Sequence, residues 1–421
     1  MNVGLLSIVL LCAAIVIGFV RKVNIGLVAL LFALALSKYA GIPEKTVIQG
    51  FNVNLFITLM GLTLLFSILK TNGTIDIMAK KIVSLAGNNK YLIPVMVYLV
   101  GFILTTIGPG AIPMLAIMPA FSIPIAIAKG YNPVMLALIG SFGIFSGRMS
   151  TITPEGILVY NLLSSQGIDI TQAIKPMYMN MIITGIVLYI IAFIYYKGFS
   201  VKILREDNDK EQEQKLNKQQ FLSLVGLIVM VILVIFGKWN AGLTSFAVSA
   251  VLLTLKAGGE KESVGGIPWG TLLMISGVSS MMGMVVETGG IKTLTTALAA
   301  IMTPNTSPAI MGATAGIMSW FSSGLGVVFP TLIPTVTNVA QVVGNVNPIE
   351  LASMVVIGGT VTGVSPLSTT GALIIAMMLA LDEKVGKFDN MKLFIELFAW
   401  SVVALVVLVI LALLGVYKIF L

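Results

Sequence analysis

The chain has 421 residues, 57% of them hydrophobic and only 10% charged, with a net charge of +8 and a mean hydropathy of +1.03. Soluble domains carry about 25% charged residues, so the polar surface that a water-soluble fold of this length requires is missing, and the positive charge does not signify a nucleic-acid partner. There is no histidine and one cysteine, Cys12, which excludes His-based catalysis, His- or Cys-ligated metal and a disulfide framework.

A helix crosses the hydrocarbon core with about 20 apolar residues. In chain order, runs of that kind lie at 4–20, 23–40, 52–70, 133–165, 176–196, 221–237, 241–256, 269–287, 350–381 and 393–417. Two further stretches, 91–128 and 306–345, are too long for one span and are punctuated by Thr105-Thr106-Ile107-Gly108-Pro109-Gly110 and by Ser322-Ser323-Gly324-Leu325-Gly326. Glycine and proline at that density break a helix, so each reads as a re-entrant hairpin with its tip inside the protein. Short alternating segments of the β-barrel kind are not seen. The expectation is an all-α integral membrane protein of about ten transmembrane helices plus two hairpins.

Lysine and arginine set the orientation. With the N-terminus outside, 18 of the 25 fall on the cytoplasmic side, including those of the 198–220 linker, and six fall outside; Arg148 alone remains within the membrane. Both termini are expected outside and the linker, a mixture of Glu, Asp and Lys, in the cytoplasm. The apolar start at 4–20 lacks a basic leader and has a counterpart at 221–237, so it is expected to be retained.

The linker separates two similar halves, 1–197 and 221–421. Val23-Asn24-Ile25-Gly26 matches Trp239-Asn240-Ala241-Gly242, Glu44-Lys45 matches Glu260-Lys261, and Asn132-Pro133 matches Asn347-Pro348, all at a spacing of 215–217 residues. An odd number of crossings per half inserts the two copies in opposite orientation. Inverted-topology repeats are the architecture of secondary transporters, whose substrate sits at the repeat interface near the membrane midplane.

The best pointer to such a site is a pair of interrupted helices at equivalent places. The runs 133–165 and 350–381 break at Ser150-Thr151-Ile152-Thr153-Pro154-Glu155-Gly156 and at Ser365-Pro366-Leu367-Ser368-Thr369-Thr370-Gly371. Half-helix N-termini suit an anion, and unwound carbonyls with Ser and Thr hydroxyls suit a hard cation such as sodium, although the same residue types also serve helix packing. Arg148 is the most informative residue, since an arginine within the membrane takes a partner. Two partners are open to it, a substrate carboxylate or Glu155. Glu155 starts a half-helix, where dipole stabilisation and a coupling role are both compatible with it. Glu287, Glu350 and Glu396 fall near span ends and read as interfacial.

Two halves, each with a hairpin followed by a broken helix carrying a Ser/Thr-Pro-Gly segment, resemble the ion transporter superfamily, which includes the divalent anion:sodium symporters and the malonate-carrier-like and citrate-transporter-like permeases. The two broken segments are most similar to the malonate-carrier-like branch. The resemblance spans the whole chain and implies a homodimeric carrier that takes up small di- or tricarboxylates by an elevator-like movement, coupled to sodium or protons and without a cofactor. It places substrate at Arg148, Ser150, Thr151, Thr153, Ser365, Ser368, Thr369 and Thr370. It places a cation at the hairpin tips, Thr105, Thr106, Gly108 and Gly110 in one half and Ser322, Ser323, Gly324 and Gly326 in the other. The symporters' Ser-Asn-Thr signature is absent from both tips. A cation/proton antiporter or an arsenite-type permease of the same architecture is the rival reading; an antiporter calls for core carboxylates, and only Glu155 qualifies. An enzyme is not expected, for want of a nucleophile with its base.

Overall fold

The computed structural model describes residues 3–51, 53–87, 89–108, 110–201, 203, 216–380 and 389–421. The centre of the linker and Lys384 and Lys387 therefore lie outside the described residues.

The first half contains α1 (Val3–Arg21), α2 (Ile25–Ala40), α3 (Glu44–Gln49), α4 (Val53–Thr71), α5 (Thr74–Ser84), α6 (Leu92–Thr106), α7 (Ala111–Lys129), α8 (Pro133–Gly147), α9 (Pro154–Ser164) and α10 (Ile170–Tyr195). The second contains α11 (Lys218–Ile235), α12 (Ala241–Thr254), α13 (Glu260–Gly265), α14 (Trp269–Glu287), α15 (Gly290–Ala299), α16 (Ser307–Phe321), α17 (Phe329–Leu332), α18 (Val336–Val343), α19 (Pro348–Val361), α20 (Thr369–Ala380) and α21 (Asn390–Leu413). The fold is all-α. Seven stretches are long and apolar enough to cross a membrane, and six shorter apolar helices accompany them among the described residues.

Helix boundaries follow local chemistry. Asn24, Asn132, Asn240 and Asn347 each cap a helix with a side-chain oxygen accepting a backbone N–H, which satisfies a donor that the first turn leaves open. The equivalent asparagines of the two halves thus open equivalent helices. The stretch 306–345 is less regular than 91–128. After α16 the chain runs through a π-helical turn, Gly324–Val328, then α17, a 3-10 turn at Ile333–Thr335 and α18. Pro330 and Pro334 remove two backbone donors there, which accounts for the broken ladder.

The halves interlock through equivalent crossings. The α2 helix packs along α14, and its counterpart α12 packs along α4. In the first crossing a Cβ on Gly277 would lie 2.0 Å from the Gly26 carbonyl oxygen; in the second, a Cβ on Gly61 would lie 2.2 Å from that of Gly242. Backbones meet directly at both places, as small residues permit where apolar lipid supplies no hydrophobic drive between helices. The pairs α6 with α8 and α16 with α19 repeat the device: a Cβ on Gly143 would strike the Tyr98 carbonyl oxygen at 2.1 Å, and one on Gly358 that of Gly312 at 2.1 Å. The hairpin arm α7 of the first half packs on α20 of the second, and α9 meets the Ile333–Thr335 turn in return. Gln166, near the end of α9, secures that contact by donating to the Ile333 carbonyl at 2.9 Å and accepting from the Thr337 hydroxyl at 3.0 Å.

Candidate functional site

Each interrupted helix unwinds over a few residues and restarts. Between α8 and α9 the chain passes through 148–153; between α19 and α20 it passes through a 3-10 turn, Thr362–Val364, and then 365–368. In both, a glycine in the restarting helix lies against the carbonyl of the serine that begins the motif. A Cβ would be 2.0 Å from the Ser150 oxygen at Gly156 and 2.3 Å from the Ser365 oxygen at Gly371. The two breaks are copies of one conformation.

Most hydroxyls at the breaks hold that conformation. Thr153 caps α9 by accepting from the Gly156 N–H at 3.2 Å, and its own O–H donates to the Arg148 carbonyl at 2.6 Å. Ser365 is buried and accepts from the Leu367 N–H at 3.3 Å, while Ser368 donates to the Gly363 carbonyl. Thr151 and Thr369 are exposed and Ser150 is half-buried. Thr370 is 3% exposed, and no partner holds its hydroxyl among the described residues. Of the candidate substrate hydroxyls, Thr153, Ser365 and Ser368 therefore have structural duties, and Thr370 is the buried one left unengaged.

Arg148 reaches across the repeat interface. Its side chain is 9% exposed; Nη2 lies 3.5 Å from Glu155 Oε1, and Nη1 donates to the Thr360 hydroxyl of α19 at 3.1 Å. The guanidinium stacks over the Phe329 ring at 5.7 Å, while Nε is buried without an acceptor. Glu155 is fully buried. Its Oε1 also accepts from the Ala111 N–H at 2.8 Å, the first donor of the hairpin arm α7, and its Oε2 is unbonded. One carboxylate thus ties a hairpin tip, a half-helix start and the membrane arginine together. Of the two partners open to Arg148 from the sequence, Glu155 is present in the structure. Moving an ion pair from water into protein is repaid only by full hydrogen bonding, and here Nε and Oε2 both go without.

The tips behave differently from one another. Gly110 adopts φ 71° and ψ −170°, a region open essentially to glycine alone, and a Cβ there would lie 2.2 Å from Glu155 Oε2. Gly108 backs onto the Phe66 ring, Thr106 donates to the Phe102 carbonyl, and Thr105 is buried with an unbonded hydroxyl. Pro109 lies outside the described residues. At the second tip Ser322 donates to the Met318 carbonyl and Ser323 accepts from the Gly326 N–H. Gly324 rests on the Gly359 carbonyl and Gly326 on the Met274 sulfur. The oxygen-rich cation sites expected at the tips reduce, in free side-chain oxygens, to Thr105 beside Glu155 Oε2.

Thr360, Phe329, Phe145 and Gly363 were not singled out by the sequence. The signal for the first lay in the repeat: Thr360 is the counterpart of Phe145, one turn before Gly363 as Phe145 is one turn before Arg148. Phe329 stands beyond the glycine-rich tip and carries no pattern of its own. Glu350 requires a correction. It opens α19 and is 3% exposed, with Oε1 unbonded, because α10 and the chain end around Tyr417 pack over it. Glu287 is exposed, and Glu396 accepts from the Tyr196 hydroxyl beside Trp400.

With this geometry in hand, the chain was compared with known proteins. No curated protein matches it. Among solved structures, the YdaH transporter of Alcanivorax borkumensis, described as having an unusual topology, superposes with a TM-score of 0.58 over 88% of this chain and 87% of that one, at 10% identity. At that identity the likeness is one of fold. The model of the citrate transporter family matches residues 13–358, from the first helix into the second broken helix, and so takes in Arg148, Glu155, Phe329 and the Gly358 crossing. The chain belongs to the citrate transporter family.

Proposed function

We propose that the protein is a secondary active carrier for small di- or tricarboxylates, coupled to a proton or sodium ion. The observation that carries this reading is Arg148, a buried arginine at the meeting of the two broken helices, held by one carboxylate at 3.5 Å and with Nε unbonded. A planar guanidinium offers a carboxylate two parallel donors. An incoming carboxylate is a better partner than Glu155, whose Oε1 is shared with the Ala111 N–H.

The exchange supplies a coupling step. Once Arg148 turns to the substrate, Glu155 is a buried anion with a single backbone donor, and it takes up a proton or a sodium ion beside Oε2. Because Ala111 begins the hairpin arm α7, the same event alters what holds the hairpin to α9. An elevator-like movement of the hairpins and broken helices, in a homodimer in the cell membrane with the 198–220 linker cytoplasmic, completes the reading. It is supported by the interlocking of α7 with α20 and α9 with the second hairpin, which ties these elements into one body. The citrate named by the family favours a carboxylate over the antiporter and arsenite readings.

Uptake by Arg148→Lys and Arg148→Gln proteins at matched expression tests this. Loss of citrate affinity in Arg148→Gln, with partial retention in Arg148→Lys, is expected; unchanged affinity in both would remove the substrate role.

A further inference from the structure

Arg148 and Gly363 are equivalent residues, each seven positions before the Thr370-type position of its own repeat, and the contacts around them are equivalent too. Arg148 touches Thr360, and Gly363 lies nearest to Phe145 from the opposite helix. Phe145 and Thr360 are themselves counterparts, so one crossing is written twice about the interface. In one copy an arginine side chain fills the space; in the other there is no side chain. A Cβ placed on Gly363 would meet Ser368 Oγ at 3.7 Å and Phe145 Cζ and Thr370 Oγ1 at 4.0 Å, with nothing closer. No close approach of backbone demands this glycine, unlike Gly156 and Gly371, and its φ is not in the left-handed region.

We infer that the gap at Gly363 is a second substrate subsite, receiving the end of the anion distal to the carboxylate held by Arg148. This rests on the carboxylate reading above. Thr360, which bonds Arg148, precedes Gly363 by three residues, so the guanidinium and the gap are about one helical turn apart. That is the span between the two ends of a four- to six-carbon acid. The wall is neutral. The Thr370 hydroxyl is buried and unengaged, and Ser368 keeps its lone pairs because its proton goes to the Gly363 carbonyl. The start of α20 adds backbone N–H groups and a partial positive charge. The site is therefore asymmetric: an ion pair at one end, and neutral donors and acceptors at the other, suited to a hydroxyl-bearing or second carboxyl group in a space that a single methyl would occupy.

The test uses purified full-length protein, with binding of citrate, malate, succinate and acetate measured by competition against labelled citrate. Gly363→Ala fits sterically, so the variant should keep the wild-type melting temperature. It should weaken citrate and malate by tenfold or more while changing acetate, which needs only the Arg148 end, by less than twofold. Thr370→Val, which keeps the shape and removes the hydroxyl, should weaken citrate and malate by about tenfold, the loss expected for one hydrogen bond to a charged ligand, and succinate less. Citrate affinity within twofold of wild type in both variants would overturn the subsite while leaving the carrier reading intact. Failure of the wild-type protein to bind any of the four acids would overturn both.

Discussion

Replacing Arg148 by glutamine leaves Glu155 as a fully buried carboxylate with one hydrogen bond, from Ala111, and an unbonded Oε2. Breaking a buried pair by removing one member costs about 3–5 kcal/mol, most of it the charge left behind. The 3.5 Å separation and the unbonded Nε make this pair looser than most, so the lower figure, about 3 kcal/mol, applies to Arg148→Gln. Glu155→Gln keeps an acceptor for Ala111 but strands the guanidinium, which retains Thr360 and the Phe329 face; a loss of about 2 kcal/mol follows. The double variant removes both charges and preserves the Ala111 bond, so its loss should be about 1 kcal/mol rather than the sum of the two, a coupling of the size seen for residues in direct contact. Unfolding in detergent across the four proteins, read by tryptophan fluorescence, gives the cycle. Strictly additive losses would refute the reasoning, since two side chains that do not share a charge cannot rescue each other.

Other outcomes follow from the same geometry. Gly110→Ala should destabilise by about 1–3 kcal/mol, from a glycine-only backbone conformation and a clash with Glu155, whereas Gly41→Ala, at a left-handed helix end with open space around it, should cost about 1 kcal/mol; melting of the two purified variants compares them. Gly277→Val should prevent accumulation of folded protein by driving α14 off the Gly26 backbone, while Gly270→Ala, with nothing nearer than 3.9 Å, should leave it unchanged, as size-exclusion profiles would report. In a Cys12→Ser background, single cysteines at 207 and at 169 should react with a membrane-impermeant maleimide from opposite faces of oriented vesicles, the former only from the cytoplasmic face.

The sequence was most legible where structure depends on local chemistry. The capping asparagines, the glycine breaks at 108–110 and 322–326 and the motifs at 150–156 and 365–371 are covalent facts with short-range consequences, and the helices begin and end at them. Arg148 was conspicuous for the same reason, being the single basic residue in an apolar run. What contacts it was less visible, because Thr360 and Phe329 are 212 and 181 residues away and meet it only through the crossing of α8 and α19. The duties of Thr153, Ser365 and Ser368 were obscured by their chemistry: a hydroxyl that caps a helix and one that binds a ligand read alike until their partners are known. Glu350 misled because its place near a span end gave no sign that α10 and the chain end would cover it.

The central claim is that two broken helices and one buried arginine carry a small carboxylate across the membrane. Counterflow in proteoliposomes, loaded in turn with unlabelled acetate, succinate, malate and citrate and challenged with the labelled acid under imposed proton or sodium gradients, measures this directly. The account predicts accumulation of at least one di- or tricarboxylate, driven by one of the two gradients and abolished in Arg148→Gln. No counterflow of any acid under either gradient, or full counterflow in Arg148→Gln, would contradict it.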